Sequence, residues 1–215
     1  MLHVVGDSHA RAFAGVVAPE AVHWIGPVLM YSVARDGVPG LRASREWLDR
    51  RGTLSGRQWL DQVGPGDVIL FVFGEIDVRC HLAEQADRIV AGTEDERDAI
   101  VVDRLVQLFT RTLRSIRSAV GCEVAVCHPV PAMQSHDPGY PCAGTLERRR
   151  AIRGRLCAAL DRMGGLDTIP VVSPAVEGDD GGIEPVLRDF DVIHLSAERA
   201  APVLRAALAA AGLSP

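Results

Sequence analysis

Short apolar runs alternate along the chain with longer stretches in which apolar residues recur every three or four positions. That is the pattern of helices laid over a parallel sheet. The runs predict five strands: Leu2–Val5, Ala21–Ile25, Asp67–Phe73, Glu123–Cys127 and Thr168–Val172. The third is apolar at every position from Val68 to Phe73. Such a run suits a central strand covered on both faces and would be costly on a half-exposed one.

Val101, Leu105, Leu108, Phe109, Leu113, Ile116 and Val120 share one helical face, which predicts a helix over 94–120 stopped by Gly121. Ile152, Leu156 and Leu160 predict a second over 145–163, with Arg148-Arg149-Arg150 near its start. A third, Ala-rich, runs from Ser196 to Ala211, with Ser196 as its cap and Pro202 as a kink or a delayed start. Pro129–Gly144 and Glu177–Gly182 read as Pro- and Gly-rich loops. There is no internal repeat and no linker long enough to separate domains, so residues 1–215 are expected to form a single one.

Composition narrows the function. The chain of 215 residues is 47% apolar and 24% charged, as a globular protein is. A net charge of −5 gives no reason to expect nucleic acid as a partner. Every basic residue is Arg, and the chain contains neither Lys nor Asn. Five cysteines, odd in number and without a C-x-x-C pair, point to thiols in a reducing compartment rather than to a disulfide or zinc framework. No basic-then-apolar leader precedes Leu2, and no apolar stretch approaches the roughly 20 residues of a membrane span. A cytoplasmic location away from membranes is expected. Neither His81-x-x-Glu84 nor Glu177–Gly182 has a metal-ligand spacing, and Gly64-Pro65-Gly66-Asp67 is no phosphate loop. Metal and cofactor are not expected.

Two segments at opposite ends carry candidate chemistry. Gly6-Asp7-Ser8-His9 follows the first strand, and Ala10-Arg11-Ala12-Phe13 opens a helix. A serine at that junction places its hydroxyl at the carboxyl edge of the sheet and its own N–H at a helix start. Read alone, Ser8 serves equally as a helix cap beside a turn glycine. Asp191-Val192-Ile193-His194 precedes the last helix, and a carboxylate at this spacing can fix a histidine's tautomer and stabilise its cation. Either segment alone is a weak signal. Together they point to one sheet edge.

On these residues the chain resembles the SGNH/GDSL hydrolases. That family carries G-D-S near its start, a glycine after the second strand, G-x-N-D after the third, and D-x-x-H before the last helix. The resemblance implies a flavodoxin-like three-layer α/β/α sandwich with five parallel strands in the order 2-1-3-4-5. It implies a serine-dependent ester hydrolase, with Ser8 as nucleophile, His194 as base and Asp191 as its orienting acid. Short acyl esters on a sugar or small metabolite are the expected substrates. The same groups would also serve an acyltransferase, and a fold without turnover would be a ligand-binding module.

The third block departs from the family. It reads Gly74-Glu75-Ile76-Asp77, so Ile76 stands where the oxyanion-hole asparagine belongs. Losing one such donor costs about 10² to 10³ in rate. The Ser8 N–H and that of a second-block glycine, Gly26 or Gly37, would remain. Arg79 is expected either to reach the oxyanion or to grip an anionic substrate, with Glu75 or Asp77 as its partner. His81 and Asp77 complete the candidate substrate contacts. The alternative is a Glu75–Arg79 or Asp77–Arg79 pair that only anchors the loop. His9 is a candidate pocket residue, His128 and His136 flank the Pro-rich loop, and His3 and His23 read as ordinary strand positions.

Overall fold

The computed structural model describes residues 1–46, 58–133, 141–191 and 193–215. Its elements run β1 (Leu2–Gly6), β2 (Val22–Trp24), α1 (Met30–Ala43), β3 (Val68–Val72), α2 (Leu82–Asp87), α3 (Glu94–Val120), β4 (Glu123–Cys127), α4 (Leu146–Asp167), β5 (Val171–Val172) and α5 (Ala197–Ala210). A tight 3₁₀ turn spans Ser8–Gly15, and a π-helical turn spans Asp77–His81. All pairings within the sheet are parallel, in the order β2-β1-β3-β4-β5. The expected fold and strand order are those observed.

The all-apolar third run is central, between β1 and β4. Its pleat divides the two cores. Ile69, Phe71 and Phe73 pack with α1, α3 and α4, while Leu70 and Val72 pack with α5 and the 8–15 turn. Helical cover on both faces is what an uninterrupted apolar strand requires.

Helix α3 occupies the predicted span because both ends are marked. Thr93 and Glu96 form a capping box, and Gly121 closes the helix in the left-handed conformation. Helix α4 runs four residues past its predicted end, through Gly164 and Gly165 to Thr168 at φ 54°. A Cβ on Gly164 would sit 2.8 Å from the Ile169 carbonyl oxygen, so the glycine lets the chain fold straight back. That return consumes the first residues of the predicted fifth strand. Helix α5 starts on its Ser196 cap and continues through Pro202. The sequence did not predict α1: Gly37, Pro39 and Gly40 interrupt its apolar spacing, and the helix kinks at Gly37 (φ 59°).

Among the described residues no helix is long and apolar enough to cross a membrane. His136, the rest of the Pro-rich loop's tip and Val192 lie outside the described residues.

Candidate active site

Gly6 ends β1 hard against β3. A Cβ there would run into the Val72 carbonyl oxygen. The Asp7 carboxylate then accepts the His9 N–H (2.9 Å) and opens the 8–15 turn, which leaves Ser8 at the carboxyl edge of the sheet. Ser8 Oγ lies 2.6 Å from His194 Nε2, and His194 Nδ1 lies 2.6 Å from Asp191 Oδ2. A carboxylate only accepts, so Nδ1 carries the proton and Nε2 is left to accept from the serine hydroxyl. Asp191 also fixes its own loop: Oδ1 accepts the N–H groups of Ile193 (3.3 Å) and His194 (3.1 Å). The Asp189 N–H donates to the His194 carbonyl (2.7 Å) from the other side. Glycine again permits the meeting of the two chain ends, because a Cβ on Gly15 would strike the Ala197 carbonyl oxygen at the start of α5.

Two backbone donors lie at the same sheet edge as this pair. The Ile25 N–H donates to the Gly6 carbonyl (3.0 Å), which carries the β1–β2 ladder one residue beyond Trp24. Gly26 (φ 93°) then leaves the ladder beside the Asp7-Ser8 turn. Neither the Ser8 nor the Gly26 N–H has an acceptor among the described residues. Gly37, the other glycine considered, sits at the kink of α1. The sheet-edge position is Gly26.

The third block is turned inward. Gly74, at φ 107°, swings the chain out of β3, and the half-buried Ile76 follows it. Asp77 is 0% exposed, and its oxygens accept the Met30 N–H (2.6 Å) and the Tyr31 N–H (3.1 Å). It caps α1, whose own N-cap residue, Leu29, has no acceptor side chain. Burial pushes the Asp77 carboxyl up to about 7, against the pull of those two hydrogen bonds. This corrects the expected substrate role, since a fully buried cap cannot reach a ligand. The Arg79 Nε donates to Glu75 Oε1 (2.8 Å) and its Nη1 to the Pro141 carbonyl (3.1 Å). Of the two partners expected for Arg79, Glu75 is the one it takes. Two of its nitrogens are committed to holding Glu75 and the 141–144 segment, which the Arg79 carbonyl also holds through the Ala143 N–H (2.8 Å). His81 packs against the Tyr31 ring (5.1 Å), and burial pushes its pKa down.

A cavity of about 390 Å³ opens over Ser8 and His194, lined also by Arg11, Trp24, Glu46 and Asp189. The Arg11 guanidinium lies over the Trp24 ring at 5.1 Å. Glu46 is held by His23 Nδ1 (2.6 Å), and His23 in turn meets His3 (3.0 Å). The two strand histidines therefore support a pocket residue, a link the sequence reading did not make.

The fold has counterparts among solved structures. A GDSL-like lipase from Bacteroides thetaiotaomicron is 11% identical over 98% of this chain and 86% of its own, at a TM-score of 0.55. A phospholipase A1 from Streptomyces albidoflavus is 13% identical over 97% and 98%, at 0.51. The chain has the SGNH-hydrolase fold. No protein-family model and no curated protein matches the sequence. At such identities the likeness speaks for the fold, and the site must be argued from its own geometry. Beside His194 stands His9. Its ring centroid lies 4.7 Å from that of His194, tilted by 40°, and its Nε2 lies 3.7 Å from Glu75 Oε2. The sequence reading named His9 as a candidate pocket residue and did not join it to Glu75. His128 is tied to Ser173 and Asp161, both at 3.0 Å, which gives it a bracing role between β4 and α4.

Proposed function

We propose that the protein is a serine ester hydrolase working through an acyl-Ser8 intermediate. The 2.6 Å approach of Ser8 Oγ to an imidazole already oriented by Asp191 carries this reading. His194 Nε2 takes the serine proton as Oγ adds to the ester carbonyl, and the Ser8 and Gly26 N–H groups receive the oxyanion. Collapse breaks the bond to the alcohol, which leaves with the proton from His194. Water then enters by the same route in reverse, and its attack frees the acid and Ser8. The small, mixed-charge cavity supports a short acyl ester on a sugar or small metabolite as the substrate. A cytoplasmic setting, from the cysteine pattern, belongs to the same proposal.

Ile76 favours a second reading, a ligand-binding module that has lost turnover with its asparagine. Hydrolysis of 4-nitrophenyl acetate separates the two. Release of nitrophenol that disappears in Ser8→Ala supports the hydrolase. A folded wild-type protein no faster than Ser8→Ala across several short acyl esters overturns it.

A further inference from the structure

His9 does not itself line the cavity, yet its ring lies against that of the proposed base. It is 4% exposed, with its centroid 4.7 Å from that of His194. Behind it lies a line of charge. Its Nε2 faces Glu75 Oε2 at 3.7 Å, and Glu75 Oε1 accepts the Arg79 Nε–H at 2.8 Å. Asp7 closes the other side, with Oδ1 on the His9 N–H (2.9 Å). Among the described residues His9 Nδ1 and Asp7 Oδ2 are buried without hydrogen-bond partners. An apolar ring would fill the same space without leaving a polar nitrogen unsatisfied. The position therefore gains something from an imidazole that packing does not supply.

We propose that His9 is a positioning residue for the base: held as an imidazolium by Glu75, it faces His194 with positive charge and keeps that histidine unprotonated to lower pH. The proposal rests on the reading of His194 as the general base. The groups facing His9 are Asp7 at the end of β1, Glu75 and Arg79 after β3, and His194 before α5. Burial works against the charged form of His9, as Arg79 does. The Glu75 carboxylate facing it at 3.7 Å, with the charge of Asp7, outweighs both, and the His9 pKa lies above the ordinary value. Burial likewise opposes the Glu75 anion, but His9 and Arg79 hold it down at about 2. Glu75 thus stays charged wherever His194 can act. A cation beside a base lowers that base's pKa, so the acid limb of activity moves down.

The test is a histidine-ring NMR titration of the full chain, beside pH profiles of kcat/KM on 4-nitrophenyl acetate. In the wild-type protein His9 is expected to keep its proton to higher pH than His194 does. If His194 takes its proton first as pH falls, the proposal is overturned without any variant. His9→Phe keeps a ring and His9→Gln keeps polarity, and both remove the charge. In each, the His194 midpoint is expected to rise by about one pH unit, and the acid limb with it, while the high-pH plateau stays within about threefold. An unmoved midpoint with a fallen plateau shows packing alone and overturns the proposal. The NMR midpoints are read with or without turnover. An inactive wild-type protein with the expected midpoints would therefore sink the hydrolase reading and leave the electrostatic one standing.

Discussion

The first and last blocks of the site point outward, and the third points inward. Ser8 and the Asp191–His194 loop bring their reactive atoms to the cavity, at the ends of elements far apart in the chain. Residues 74–81 leave the same sheet edge, yet they spend Asp77 on capping α1 and Arg79 on Glu75 and Pro141. Position at the carboxyl edge of a sheet is thus not enough to make a polar residue a ligand contact. Burial and nearby orphan donors decide which groups are claimed by the fold first.

That contrast can be broken by substitutions on each side. Asp191→Asn is the severest on the outward side. It leaves the loop bond to one amide oxygen but favours the wrong imidazole tautomer, and kcat on 4-nitrophenyl acetate is expected to fall by about 10³ to 10⁴. A loss below tenfold would mean that Asp191 only shapes the loop. Arg79→Ala is its inward counterpart. It leaves the buried Glu75 anion with His9 alone beside it, and urea unfolding is expected to show a loss of about 3 kcal/mol. If stability holds while kcat and kcat/KM collapse together, Arg79 is an oxyanion donor after all.

Ile76→Asn returns a donor to the third block and is expected to raise kcat/KM by about tenfold to 10². No gain, with a folded protein, would mean that the block has moved too far inward for its side chain to serve. The smallest effect is expected from Asp7→Asn. Burial pushes the Asp7 carboxyl up to about 6 from an ordinary value of 3.8. An acid whose pKa is raised by folding destabilises the folded state as pH rises from about 4, with the full penalty reached above about 6. An asparagine keeps the oxygen that accepts the His9 N–H and removes the charge. It is expected to stabilise the protein by about 1–2 kcal/mol at pH 8 and by nothing near pH 4, read from urea midpoints. Equal effects at both pH values would mean that the charge is not the cause.

The same distinction explains what the sequence could reveal. β3 was legible because six successive apolar residues admit few other placements, and α3 because its apolar spacing runs unbroken to the stop at Gly121. Ser8, Asp191 and His194 were legible because short local spacings carry them. α1 was hidden behind its own Gly37, Pro39 and Gly40. Asp77 could not be read as a cap, because the amides it accepts are 46 and 47 residues earlier in the chain. His9 was placed by its neighbours Glu75 and His194, 66 and 185 positions away, and no local pattern records such a partnership.

Gly15 carries a consequence for how the molecule fails. Ser8 and His194 are 186 positions apart, and they meet where the 8–15 turn touches the start of α5. The last helix and the loop before it are therefore a detachable half of the reaction centre, while the five strands pair with one another without them. Terminal elements open with less free energy than central strands. On heating, the proposed hydrolysis is expected to vanish while the sheet's amide protons still resist exchange, so activity would be lost before the protein unfolds.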